Sequence, residues 1–234
     1  MSKASKLLVA LGNEIKTNSL RYDKKGDVGR MYLSYLNKKY KFDEWLYLSN
    51  INSYVCEKDG IILIKPITSI IQNNGILIKH ILSYFNCRDI KNTCIILPDI
   101  YRPVGKYKYK EFAKIHEKLS SDFYNLLNTN LMNNLNKNNY LQLCFGTNSL
   151  QHEKVSSVKD NFEEVITEHE HKIFLNTFKL ADEYFKKKIL NSNYVCTNLI
   201  HLKKKYPAME PQKRVKKSTA TRRYILDIYK HMYK

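Results

Sequence analysis

Glycine is scarce in this chain: seven residues in 234, at positions 12, 26, 29, 60, 75, 105 and 146. Enzymes that cradle phosphates on backbone amides usually rely on glycine for the close approach, and none occurs between Gly105 and Gly146. Cysteine is also sparse. The five (Cys56, Cys87, Cys94, Cys144, Cys196) form no C-x-x-C pair, and this odd, scattered set argues against a disulfide scaffold and against a zinc site. It suits a reducing compartment, and no metal or cofactor is expected. No apolar run approaches the length of a membrane-spanning helix, so no membrane association is expected. Acidic residues are in deficit, 22 Asp+Glu against 40 Lys+Arg, for a formal net charge of +18. What is present is a 43% hydrophobic complement, enough for a packed core, and 18 tyrosines. The length allows one domain, or one domain with an appendage.

The charge is unevenly placed. Residues 191–234 hold 11 Lys+Arg and 2 Asp+Glu, a net +9, which is half of the excess in less than a fifth of the chain. The basic clusters are Lys203, Lys204 and Lys205, then Lys213, Arg214, Lys216 and Lys217, then Arg222 and Arg223. Interrupted by tyrosines, they suit a polyanion: cations release counterions from phosphates and aromatic rings stack on bases. The competing reading is a solvated chain end. Pro207 and Pro211 exclude a helix across 206–212, and Tyr224, Ile225, Ile228, Tyr229 and Met232 have the spacing of a short terminal amphipathic helix.

Along the body, 6–11 reads as a buried strand closed by Gly12-Asn13. Val28, Met31, Tyr32, Tyr35 and Leu36 fall on one helical face. Segments 53–57 and 61–65 flank Asp59-Gly60, a hairpin signal, with Pro66 ending the second strand. Residues 76–85 read as a helix, 93–98 as a buried strand and 111–127 as a helix. The stretch 125–139 carries eight asparagines in fifteen residues and reads as a low-complexity loop or frayed helix end. Residues 141–145 form a strand stopped by Gly146, and 160–190 a helix. Alternating strands and helices with one inserted hairpin imply an α/β fold: a single domain over 1–190 with a mixed, mostly parallel twisted sheet flanked by helices, followed by a basic extension over 191–234.

The order of motifs resembles bacterial-type peptidyl-tRNA hydrolase. Leu8-Val9-Ala10-Leu11-Gly12-Asn13, then Leu20-Arg21-Tyr22-Asp23 and Gly26, are similar to that family's opening strand, G-N and T-R-H-N-x-G. Lys65 to Gly75 is similar to P-x-T-x-M-N-x-S-G. Ile95-Ile96-Leu97-Pro98-Asp99 is similar to the strand ending H-D, Pro103-Val104-Gly105-Lys106 to the turn after it, and His116-Glu117-Lys118-Leu119 to H-N-G-L. Phe145-Gly146 matches the end of the last core strand. The resemblance runs from 6 to about 190, and it implies a hydrolase-like sandwich.

The resemblance also implies a chemistry. The family cleaves the ester joining a peptide to the tRNA 3′ end, using an imidazole base, a carboxylate that orients it and asparagine amides that hold the substrate. Carried over residue by residue, Asn13 keeps the first amide and Asp99 the carboxylate. The catalytic histidine position falls on Tyr22, or on Asp23 if no residue is inserted; neither is a histidine. A neutral tyrosine, with a pKa near ~10, is a poor base at neutral pH. The Met-Asn pair falls on Ile71-Gln72, and the asparagine of H-N-G-L on Glu117. His116 is the best candidate for a replacement base, since the family also has a histidine there, and is read otherwise as a partly exposed helical histidine. His80, His152, His169, His171, His201 and His231 have no motif context. Asp99 can equally be a carboxylate closing the turn after its strand.

A fold that retains affinity for RNA without its chemistry is suited to a scaffold. Lys106, Lys108, Lys110 and Lys114, with Lys118, make a tyrosine-interleaved basic stretch where the family has its glycine-rich lid, read as an RNA contact or as a solvated helix face. The expectation is a non-catalytic RNA-binding component of a mitochondrial ribosome, with rRNA (or tRNA) and neighbouring ribosomal proteins as partners and no small-molecule substrate. The alternative is a divergent active hydrolase, and a third class is an adaptor docking through the helix near 219–233. The first strand is expected to begin near Lys6, so no cleavable presequence is expected in these residues. Lys3 and Lys6 suit an uncleaved import signal, or equally a cytoplasmic protein.

Overall fold

The computed structural model describes residues 6–15, 23–68, 74–87, 92–111, 141–149 and 158–190. They form strands β1 (Lys6–Ala10), β2 (Leu46–Leu48), β3 (Ser53–Lys58), β4 (Ile61–Pro66), β5 (Thr93–Pro103), β6 (Tyr107–Glu111) and β7 (Leu141–Asn148). The described helices are α1 (Val28–Tyr40), α2 (Asn74–Tyr84), α3 (Val158–Glu163) and α4 (Glu168–Phe185), with a π turn at Lys186–Leu190. The seven strands make one sheet in the order β2-β3-β4-β1-β5-β7-β6. Its centre, β4-β1-β5-β7, is parallel throughout. The outer pairs β2-β3, β3-β4 and β6-β7 are antiparallel. The mixed α/β sheet expected from the alternation of elements is therefore present, and five of its seven strands point the same way.

The central strands are apolar on consecutive residues because both faces are covered. Leu8, Ala10, Leu63, Ile96, Leu143 and Phe145 face a core that includes Tyr32, Leu36, Phe174, Phe178 and Phe185 of α1 and α4. The alternate residues Leu7, Val9, Ile62, Ile64, Ile95 and Leu97 are equally buried. Each such side chain contributes roughly 1.5–3 kcal/mol on removal from water. The β3–β4 hairpin turns on Asp59 (φ 50°) and Gly60 (φ 80°), the pair of left-handed residues that a two-residue turn requires.

Several local expectations are corrected. The helix expected over 160–190 is two helices. The chain breaks at 164–167 because segment 23–25 pairs antiparallel with it: the Lys25 N–H donates to the Glu164 carbonyl at 2.9 Å and the Ile166 N–H to the Asp23 carbonyl at 2.7 Å. Thr167 then restarts the helix with a capping box, its hydroxyl accepting from the Glu170 N–H and the Glu170 carboxylate accepting from the Thr167 N–H. β7 does not stop at Gly146 but runs to Asn148, and β5 runs past Pro98 to Pro103 with a register shift between Asp99 and Pro103. Gly146 is needed inside the strand because a Cβ there would overlap the Pro103 carbonyl oxygen and lie 2.6 Å from that of Arg102. Strand β2 is too short for its pattern to show in the sequence. The expected helix over 111–127, the asparagine-rich stretch and the extension 191–234 lie outside the described residues, apart from Glu111, which is the last residue of β6.

Candidate functional site

The carboxyl ends of the parallel strands share one edge of the sheet, where α/β folds place their ligands. Gly12 and Asn13 leave β1, Thr68 follows β4, Asp99 lies in β5, and Ser149 follows β7. Asn13 is 4% exposed. Its N–H donates to Asp27 Oδ1 at 3.0 Å and its Nδ2 to the Phe162 carbonyl at 2.7 Å. Its carbonyl accepts from Arg30 Nη1. Gly26 presses on the same amide, since a Cβ there would meet Asn13 Oδ1 at 2.5 Å. The Asn13 amide is thus engaged by its own protein on the donor side and packed against backbone on the acceptor side.

Arg30 ties this edge together. It is fully buried, and a buried guanidinium is costly unless every side is paired. Nη1 donates to Asn13 and to Asp27 Oδ1 at 2.8 Å, while Nη2 donates to the Pro66 carbonyl and to that of Thr68 at 3.3 Å. One side chain therefore clasps the loop after β1 to the loop after β4. Burial pushes the Asp27 carboxyl above the ordinary range, against the Arg30 charge and the hydrogen bonds from the Asn13 N–H and Arg30, which pull it down.

A second buried cation stands beside it. Lys25 is fully buried and pairs with Glu164 Oε1 at 2.6 Å and Glu170 Oε1 at 3.2 Å. It also donates to Ser149 Oγ, which donates to Glu170 Oε1 at 2.5 Å. Burial pushes the Glu170 carboxyl up, but hydrogen bonds from Ser149, the Thr167 N–H and Lys25, with the Lys25 charge, outweigh this and hold it below the usual glutamate range. Lys25, Asp27 and Arg30 escape a reading of the sequence, where they look like solvent-facing charges beside an apolar stripe. The available signal was Thr167-x-x-Glu170, a capping-box spacing that predicts a helix start inside 160–190.

Asp99 accepts the Tyr101 N–H at 3.1 Å and Arg102 Nε at 3.2 Å. Its carboxylate is held inside β5, at the register shift between Asp99 and Pro103, and pairs with a cation three residues on. Of the other positions that the resemblance matches to the family's site, Tyr22, Gln72, His116 and Glu117 lie outside the described residues, as do Lys114, Lys118 and all the tail residues Lys203, Lys204, Lys205, Lys213, Arg214, Lys216, Lys217, Arg222 and Arg223.

The basic stretch at 106–110 is strand where one of its two readings made it a helix face. In β6, Tyr107 and Tyr109 point into the core, and Lys108 lies on the opposite side. Tyr109 stacks on Tyr184 with centroids 3.7 Å apart, and Tyr107 lies against Phe145 at 6.4 Å. Tyr107 donates to the Leu180 carbonyl at 3.3 Å and Tyr109 to that of Ala181 at 3.4 Å. Lys106 and Lys108 are exposed. Interleaving in sequence is therefore segregation in space: Lys106 and Lys108 are exposed, while Tyr107 and Tyr109 are half-buried against the core.

Among the described residues no group of three or more His, Cys, Asp or Glu could hold a metal, and no helix is long and apolar enough to cross a membrane. The four described cysteines are buried free thiols, and burial pushes Cys56 and Cys94 up to about 12.

Comparison with known proteins decides the family. The family model described as Peptidyl-tRNA hydrolase matches residues 7–206. The chain belongs to the peptidyl-tRNA hydrolase family. Its fold is similar to the crystal structure of peptidyl-tRNA hydrolase from Acinetobacter baumannii, with a TM-score of 0.63 at 16% identity over 81% of this chain and 90% of that one. It is also similar to a peptidyl-tRNA hydrolase crystallised with N-propanol, with a TM-score of 0.59 at 14% identity over 82% of this chain and 97% of that one. The family match runs past residue 190, into the segment separated above on charge alone.

Proposed function

We propose that this chain is a non-catalytic, RNA-binding member of the peptidyl-tRNA hydrolase family that serves as a structural component of a mitochondrial ribosome. The observation that carries the reading is the occupancy of the two retained polar groups. Asn13 Nδ2 is bound to the Phe162 carbonyl, and Asp99 is bound to Tyr101 and Arg102. A carboxylate paired with arginine is poorly placed to orient an imidazole, and the sequence offers no histidine at Tyr22 or Asp23. Loss of a positioned acid–base group typically removes 10²–10⁴-fold in rate, so little hydrolysis is expected. RNA affinity is expected from the exposed Lys106 and Lys108 and from the basic clusters of 191–234. The inward tyrosines of β6 leave phosphates, not bases, as the target of that strand.

Family membership favours a second reading, in which His116 acts with Asp99 on peptidyl-tRNA. Purified protein incubated with peptidyl-tRNA separates the two. The first reading expects no release of peptide above the buffer rate, together with co-sedimentation with a ribosomal subunit from mitochondrial lysate. Turnover that disappears in His116→Ala would establish the second, and a protein that sediments only as a free monomer would remove the ribosomal role.

A further inference from the structure

α1 and α4 run in the same direction. Tyr35 lies against Phe178 at 5.9 Å and Tyr40 against Phe185 at 5.6 Å between ring centroids. At their far ends they are latched by the buried Asp182 carboxylate, which accepts from Lys39 Nζ at 2.6 Å and the Tyr40 hydroxyl at 2.5 Å. Ahead of the latch the two helices line a surface groove of about 600 Å³. Its floor is Met31, Tyr35, Leu175 and Phe178, and its rim carries Lys38, Lys39 and His171. Leu175 is 37% exposed there. No carboxylate is among the described residues that line the groove, and Lys38 has no ion-pair partner among the described residues.

We propose that this groove receives a short acidic amphipathic helix of a partner protein. Two apolar side chains one turn apart would fill the floor, and flanking carboxylates would meet Lys38 and the imidazole rim. The groove follows α1 from position 31 to 38, about 10 Å at 1.5 Å per residue, which is the length of two helical turns. The floor favours a protein side chain over a nucleobase. A thioether, an aliphatic chain and ring edges adapt to apolar anchors. The one aromatic ring that could stack on a base, Tyr35, already stacks on Tyr32 (centroids 6.2 Å, planes 17° apart) and carries Lys39 Nζ at 5.4 Å from its centroid. The exposed Lys38 on the rim favours an acidic occupant over a basic one. None of the residues that line this groove belongs to the strand-end cluster, so the inference stands whichever functional reading holds.

The test uses the full chain and a fluorescein-labelled helical peptide of about four turns, built of glutamate and alanine with two leucines one turn apart. Fluorescence anisotropy is expected to give saturable binding on the order of 10 μM, the weak end for a small interface. Lys38→Glu and Leu175→Asp, both at exposed positions, are expected to weaken it at least about tenfold, while Lys79→Glu on α2 leaves it unchanged. The peptide without leucines is expected to bind at least about tenfold more weakly, which separates docking from attraction to a cationic protein. Thermal melts confirm that each variant folds. Absence of binding, equal binding by the variants, or equal binding of a lysine-for-glutamate peptide overturns the proposal. So does oligouridylate that binds in a Leu175-dependent way, which would assign the groove to RNA. Binding that appears only after removal of 191–234 would make the tail the occupant and overturn it too.

Discussion

Lys65 is a lysine placed where the sheet wants an aliphatic residue. It follows Leu63 on the same face of β4 and is 3% exposed. Ser34 Oγ accepts from its Nζ at 2.6 Å, and the Trp45 ring lies 3.9 Å from it. Burial pulls its pKa down to about 7 from 10.5, with the Cys56 thiol opposing and the Arg30 charge adding to the shift. In the unfolded chain the amine titrates near its ordinary value. Between about 7 and 10.5 the unfolded state therefore holds a proton that the folded state lacks, and stability rises with pH by up to about 1.4 kcal/mol per unit. Below the folded value both states are protonated and the whole penalty is present. Lys65→Met is expected to raise the melting temperature most at roughly pH 6.5 and progressively less toward pH 10. Calorimetry showing the same increment at both ends would contradict the account. Gly146 sets a sharper steric demand. Gly146→Ala drives a methyl into two backbone carbonyls that cannot rotate away, and a loss of about 3 kcal/mol is expected in denaturant titration.

At the scale of elements, the start of α4 carries two functions at once. Glu170 completes the capping box and also neutralises the buried Lys25. Thr167→Ala removes the cap and the hydroxyl's hydrogen bond to Glu170 Oε2, leaves the Lys25–Glu170 pair in place, and is expected to cost about 1 kcal/mol. Glu170→Gln keeps much of the cap but leaves Lys25 with Glu164 alone, whose side chain is 51% exposed, and a loss of about 3 kcal/mol is expected. Because the Glu170 pKa is held below the ordinary value, its contribution is present above the usual glutamate range and is lost as pH falls through the folded value. The Glu170→Gln difference should accordingly shrink in acid, which urea titrations at two pH values would measure. The boundaries of these elements were partly legible. Apolar runs at 6–10, 61–64 and 93–97 announce buried parallel strands, and the 28–36 stripe announces α1. The break at 164–167 was not legible from periodicity, because it arises where distant segment 23–25 pairs with it. β6 was missed for a related reason: Tyr107-Lys108-Tyr109-Lys110-Glu111 is settled as a strand by β7 beside it.

At the scale of the whole molecule, the net charge of +18 governs association. If RNA binding involves six or more phosphates, affinity for a structured RNA is expected to fall roughly 10³-fold or more between about 50 and 200 mM salt. Removal of 191–234 should flatten that slope, since half the excess charge goes with it. Filter binding across a salt series measures both. A slope unchanged by the deletion would place the contact on the body, where Lys106 and Lys108 stand exposed.

The sequence by itself determined the layer architecture, the family and the split of charge between body and tail. Those follow from apolar periodicity, ordered motifs and composition, which are properties of neighbouring residues. It also offered Asn13 and Asp99, by resemblance, as positions matching the family's motifs. Only the tertiary structure decided what these two touch. Asn13 is bound to Phe162, 149 residues away in the chain, and Arg30 joins loops whose contact no local pattern encodes. A buried charge is tolerable only where distant partners converge on it, so Lys25, Arg30 and Lys65 take their meaning from the fold rather than from their neighbours in sequence.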